Sequence, residues 1–187
     1  SQSSTQPVVM TTMATFNDQT PATGRIHNVS TTGFDYALQP EENSAEDHAQ
    51  ESVAYIAWEP STGEIDGTQF VVAKAHDITH QAQHLEFEET FNATPSFLAS
   101  MQSCNEGDTA NLRHDKKSNC SLKLNVDEEQ SLNYENNHLD ENFGYMAFNN
   151  LIDLDSNTIT LKKEIRDTTI SGYSSTQKER NYGGSRT

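Results

Sequence analysis

Laid on itself at a displacement of 88 positions, this sequence repeats. Pro7 falls on Pro95, Met13 on Met101, Asn17 on Asn105, Ala22 on Ala110, Arg25 on Arg113 and Ser30 on Ser118, with no gap. Phe34, Tyr36 and Leu38 then meet Leu122, Leu124 and Val126, and Glu41 meets Glu129. A two-residue insertion near Asn136 moves the displacement to 90, where His48, Glu51, Tyr55 and Ala57 match His138, Glu141, Tyr145 and Ala147. Thr68, Asp77 and Thr79 go on to match Thr158, Asp167 and Thr169. Such agreement in one register means a duplicated unit, so the fold must be built twice from one supersecondary pattern.

That pattern is a strand pattern. Residues 34–38 and 122–126 place apolar side chains at every second position, which gives one buried and one exposed face. Residues 53–58 and 143–148 are nearly continuous apolar runs with aromatics, as for strands in a sandwich core. Turn-forming clusters such as Asn105-Glu106-Gly107-Asp108 punctuate them, and no stretch keeps a helical period for long. The expected fold is all-β: two tandem antiparallel β-sandwich modules of about six strands each, at residues 1–79 and 80–169. The copies are unequal. Phe87-x-x-x-Phe91-x-x-x-Pro95 reads as an opening strand of the second, whereas SQSSTQ before Pro7 has no aromatic at either matching place. The first module therefore lacks its N-terminal strand, and an open edge invites pairing with another segment or subunit.

Charge narrows the partners. With 28 acidic and 12 basic residues the net charge is −16, which repels nucleic acid and anionic membranes. No apolar run approaches the roughly 20 residues of a membrane helix. The chain begins at Ser1 and reads as a processed or trimmed product. Cys104 and Cys120 lack metal-ligand spacing, and their even number favours one disulfide. Asn28, Asn92 and Asn119 open N-x-S/T sequons, glycan acceptors if the source is eukaryotic. Together these features point to a secreted protein at the cell surface or beyond it.

The second copy resembles the H-type lectin domain of the snail agglutinins. The resemblance lies in Phe87-x-x-x-Phe91-x-x-x-Pro95, in Asn111-Leu112-Arg113 with its arginine 18 residues past the proline, in the turn around 118–124, and in the aromatic strand ending at Phe148. Arg25, the run from Asn28 to Phe34, and Trp58 carry it in the first copy. The resemblance implies a six-stranded sandwich that often trimerises and binds galactose-type sugars between subunits, with Arg25 and Arg113 as sugar contacts. The family's next contacts, a Trp-His pair, fall on Glu41-Glu42 and Glu129-Gln130. A carboxylate cannot stack on a sugar's apolar face, so the family's sugar preference does not carry over.

Read residue by residue, Arg25 and Arg113 offer guanidinium forks to hydroxyls or carboxylates, or pair with a nearby acid such as Glu41 or Glu129. Asn17 and Asn105 end the first strand of each copy and suit either turn closure or ligand contact. The recurring His48-x-x-Glu51 and His138-x-x-Glu141 pairs fit a His–Glu hydrogen bond pinning the loop before the aromatic strand. One histidine per copy is too few for a zinc site, and no metal is assigned. No cofactor is expected, although the acidic stretches 41–47 and 127–135 leave calcium open. No nucleophile–base pair or phosphate loop is present, so no enzyme activity is expected. The tail at 170–187, ending in Asn181-Tyr182-Gly183-Gly184-Ser185, reads as a linker or the start of a further β-module. The function expected is carbohydrate binding or adhesion, with glycans or glycoproteins and neighbouring subunits as partners. The alternatives are a structural repeat of an extracellular fibre or adhesin, and an accessory module of a polysaccharide-degrading enzyme.

Overall fold

The computed structural model describes residues 5–44 and 47–149 together with the backbones of two short strands at 152–154 and 159–161. The tail at 170–187 and the repeat matches at Thr158, Asp167 and Thr169 lie outside the described residues. Among the described residues thirteen strands form and no helix: the fold is all-β. In chain order they are β1 (Val8–Met13), β2 (Ala22–His27), β3 (Asp35–Pro40), β4 (Val53–Trp58), β5 (Ser61–Ile65), β6 (Thr68–Ile78), β7 (Gln83–Glu86), β8 (Ser96–Met101), β9 (Ala110–Asp115), β10 (Ser121–Glu128), β11 (Glu141–Phe148), β12 (Ile152–Leu154) and β13 (Ile159–Leu161). Every ladder is antiparallel.

The duplication is visible in the ladders themselves. β1 pairs with β4 so that Val8 faces Trp58, and β8 pairs with β11 so that Ser96 faces Phe148, the same register after displacements of 88 and 90. Ala22 faces Pro40 in the β2–β3 pair as Ala110 faces Glu128 in the β9–β10 pair. The hairpins agree too: Thr62 faces Val71 between β5 and β6, and Ile152 faces Leu161 between β12 and β13. The β5–β6 turn is made by Asp66 and Gly67, both at positive φ (49° and 76°), as a two-residue hairpin of this twist requires.

A four-stranded sheet, in the order β5-β6-β11-β8, faces a three-stranded one, β7-β10-β9. The core between them gathers Val71 and Ala73 from β6, Phe143, Tyr145 and Ala147 from β11, Leu122, Leu124 and Val126 from β10, and Phe87 and Phe91 from the segment after β7. The alternate residues of the same strands, Phe70, Val72, Met146 and Phe148, point the other way and bury themselves with Val8 of β1, against which Met10 and Trp58 also pack. The central strands are thus apolar at consecutive positions because both faces are covered. One cover is the copy's own second sheet; the other is the preceding copy.

Strand pairing draws the unit differently from the division at 79/80. β6 is hydrogen-bonded along β11 from Phe70 to Ile78, so the hairpin that follows the first copy in sequence completes the sheet of the second. The opening strand of the second copy is β7 at 83–86, just before the Phe87–Phe91 pair. Beyond it the backbone is bonded to the β9–β10 turn through Phe87 N to Cys120 O and Phe91 N to Asn119 O, both 2.8–2.9 Å, while the two rings meet edge-on in the core. Among the described residues the first copy is β1–β4 alone, so more than one strand is lacking from it.

Candidate functional site

Each copy carries the same polar clip beside its aromatic strand. In the first, Glu51 accepts hydrogen bonds from the Thr15 hydroxyl and from Asn17 N at 2.6 Å, and Asn17 Nδ2 donates to Gln50 O at 2.8 Å. In the second, Glu141 accepts from the Ser103 hydroxyl and from Asn105 N at 3.1 Å, and Asn105 Nδ2 donates to Asp140 O at 2.6 Å. Asp18 accepts from Ala49 N at 2.9 Å as Glu106 accepts from Leu139 N at 2.6 Å. Hydrogen bonds from Thr20 N and Ala49 N hold the Asp18 carboxyl down at about 2.

This geometry corrects two expectations. The histidines do not bond the glutamates of their motifs: His48 Nδ1 and His138 Nδ1 each meet the carbonyl of the following residue at 2.8 Å. Asn17 and Asn105 do not close a local turn; they staple the loop after β1 or β8 to the segment entering β4 or β11. The carboxylate wins these donors because buried or crowded N–H groups need a charged acceptor that can take several at once.

The matching arginines have different fates. Arg25 is 1% exposed, and its Nη2 lies 2.6 Å from Glu141 Oε1, itself fully buried. Arg113 is 62% exposed and pairs with Asp127 on the neighbouring strand at 3.1 Å. Arg25 therefore joins the first copy to the second, and cannot reach a sugar. Other contacts cross the same junction. Thr23 bonds Asn111 at 3.0 Å and Asn43 N bonds Ser131 Oγ at 3.0 Å, each pair occupying the same place in the repeat. Gln102 Nε2 donates to Val9 O at 3.0 Å, and Val8 lies so close to Gly144 that a β-carbon there would come within 2.7 Å of it.

Tyr55 and Tyr145 diverge for the same reason. Tyr145 is 1% exposed among Phe87, Phe97 and Phe143, whereas Tyr55 is 62% exposed and meets Phe34 edge-on at 5.2 Å. The first copy has no described counterpart of β7 or the Phe87–Phe91 segment to cover it.

Neither Glu41 nor Glu129 pairs with these arginines, which take Glu141 and Asp127 instead. Glu41 makes main-chain bonds to Pro21 and Ser44, while the Glu129 carboxylate accepts from Ser131 and from Glu42 N at 3.0 Å. Glu129 is thus another junction residue. Cys104 and Cys120 are free and exposed, which corrects the expected disulfide. They sit in loops at opposite ends of β9, and six extended residues separate its ends by roughly 17 Å, far beyond disulfide reach. Asn28, Asn92 and Asn119 all lie on the surface, with the Asn28 and Asn119 amides bonded to Asp35 and Phe91 O.

Sequence reading missed Asp108. It stands in the β8–β9 loop, with carboxylate oxygens grouped within 4.8 Å of those of Glu42, after β3, and Glu128, at the end of β10. Its match in the first copy is Thr20, so the repeat gave no signal for it.

Fold and junction together define a class: an all-β protein of like copies that interlock in sequence order. No protein-family model and no solved structure matches the chain. It is similar to a segment of Halomucin from Haloquadratum walsbyi (strain DSM 16790 / HBSQ001), at 26% identity over 151 residues. The match covers 79% of this chain and 2% of Halomucin, so the chain spans a small part of that protein's length. This likeness points to an extracellular surface protein.

Proposed function

We propose that this chain is a structural segment of an extracellular surface polypeptide, in which each copy's trailing hairpin completes the sheet of the next. The observation that carries this reading is the β6–β11 ladder: a hairpin that follows one copy is built into its neighbour. The β12–β13 hairpin follows the second copy in the same register and has the same edge to offer. β4 is the counterpart of β11, and its second edge, beside exposed Tyr55 and Ile56, is without a strand partner among the described residues. Arg25 supports the reading, since one of the two matching arginines is spent on a buried contact between copies. Strand addition of this kind draws its affinity from main-chain hydrogen bonds.

The test is sedimentation velocity over a wide concentration range. End-to-end association of whole chains is expected, suppressed by Ile56→Lys, a charge of the kind that blunts natural sheet edges. Strictly monomeric behaviour at high concentration would overturn the reading.

One observation favours carbohydrate binding as a second reading. Arg113 and Asn111 line an open polar groove of about 340 Å³ with Thr12 and Thr23. Glycan-array binding abolished by Arg113→Ala would establish it; an empty array would remove it.

A further inference from the structure

We propose that Glu42, Asp108 and Glu128 bind one Ca²⁺ ion that clamps the two copies together. The three carboxylates arrive from separate places: Glu42 from the end of the first copy's β2–β3 hairpin, Asp108 from the β8–β9 loop, and Glu128 from the last position of β10. One oxygen from each lies within 4.8 Å of the others. Three oxygens so spaced share a point no more than about 2.8 Å from each, and a few tenths of an ångström of side-chain movement brings all three to the roughly 2.3–2.6 Å of a Ca²⁺ ligand. All-oxygen, all-carboxylate donors suit Ca²⁺ and not the nitrogen- and sulfur-seeking metals.

Acidic clusters are common on a surface this negative, and proximity alone would mean little. Glu128, however, is 5% exposed and neither of its carboxylate oxygens has a hydrogen-bond partner; Glu42 Oε1 is likewise buried and unpartnered. A carboxylate taken out of water with both oxygens unmet is strongly unfavourable unless a cation or donor meets it. Burial first, and then the charge of Asp108, pushes Glu128 up to about 7, and the same causes raise Glu42. The surroundings hold the cluster in place instead of letting it spread. Thr109 Oγ1 donates to Pro40 O at 2.5 Å, Gln39 bonds Gly107 O, Glu129 N donates to Thr109 O at 2.7 Å, and Glu42 N donates to Glu129 at 3.0 Å. The remaining positions of a six- to eight-coordinate ion fall to backbone carbonyls and water.

The matching residues elsewhere in the repeat are Thr20 for Asp108, Pro40 for Glu128 and Gln130 for Glu42, so one site per chain is expected. It forms within a single chain and is independent of end-to-end assembly; its failure would leave that reading untouched.

Calorimetric titration of the chelator-treated full chain with CaCl₂ should give one site. At a hundredfold excess over Kd, Tm should rise by roughly 5–10 °C. Glu128→Gln and Asp108→Asn should abolish both effects, while Glu128→Gln in chelator should melt no lower than the parent, because it removes a repulsion and keeps the shape. Glu64→Gln, a remote exposed acid, should bind as the parent does. No Ca²⁺-dependent shift in the parent, or an equal shift in Glu128→Gln, overturns the site; tighter binding of Mg²⁺ or Zn²⁺ overturns the ion.

Discussion

Glu141→Gln should be among the most damaging single-atom changes this chain can suffer, and Glu51→Gln, its counterpart, among the mildest. Glu141 accepts from Arg25, Ser103 and Asn105 N, and both members of the ion pair are essentially out of water. Removing its charge leaves the Arg25 guanidinium buried with Nη2 opposite a neutral amide, while Nε and Nη1 already have no partner. An uncompensated buried charge of this kind costs about 3–5 kcal/mol. At about 2–4 °C per kcal/mol for a chain of this size, Tm should fall by roughly 6–20 °C. Arg25→Met should cost less, since Glu141 keeps the Ser103 and Asn105 donors, the arrangement Glu51 already has with Thr15 and Asn17. Combining Arg25→Met with Glu141→Gln should recover much of the loss. Urea titration of the four variants measures this directly. Equal effects of Glu141→Gln and Glu51→Gln, or a larger effect of Arg25→Met than of Glu141→Gln, would refute the inference that a buried charge joins the copies.

Three further outcomes are expected. Gly144→Ala would set a β-carbon 2.5 Å from Gln102 Nε2 and 2.7 Å from Val8 Cγ1, so overpacking should cost about 1–3 kcal/mol by urea unfolding, whereas Gly107→Ala, with nothing within 4 Å, should cost far less. Asp18 sits at about 2 in the fold against an ordinary 3.8, so its contribution is present above about pH 4 and lost as pH falls to 2; urea midpoints of Asp18→Asn and the parent should differ at pH 5 and converge near pH 2. Cys104 and Cys120 should both react promptly with a thiol reagent in the native protein, and mass analysis should find no intramolecular bridge.

The strands were legible because their evidence is local and doubled. Residues 53–58 coincide with β4, 143–148 lie within β11, and the alternation of Leu122, Leu124 and Val126 is that of a strand with one face in the core. The like apolar runs read as like core strands, yet β11 is buried on both faces while β4 leaves Tyr55 and Ile56 exposed, and nothing in the run at 143–148 says that its second cover is the preceding copy. That depends on which strand β6 joins, a choice between equally apolar edges. The candidate site was legible only as residue types. Arg25 and Arg113 read alike because a repeat reports ancestry and backbone register, whereas burial depends on what stands next to each copy. Likewise, Glu42, Asp108 and Glu128 come together from segments 20 to 86 positions apart, a proximity set by the junction and by no spacing along the chain.

Borrowing a hairpin has a consequence for how the molecule comes apart. A protease that nicks the backbone between β4 and β5 leaves the hairpin with the later copy, and the detached β1–β4 piece stays held there by Val8 in the shared core and by the Arg25–Glu141 pair. Cleavage and separation are therefore distinct events, and integrity under attack depends on the contacts between the two copies instead of on any one peptide bond.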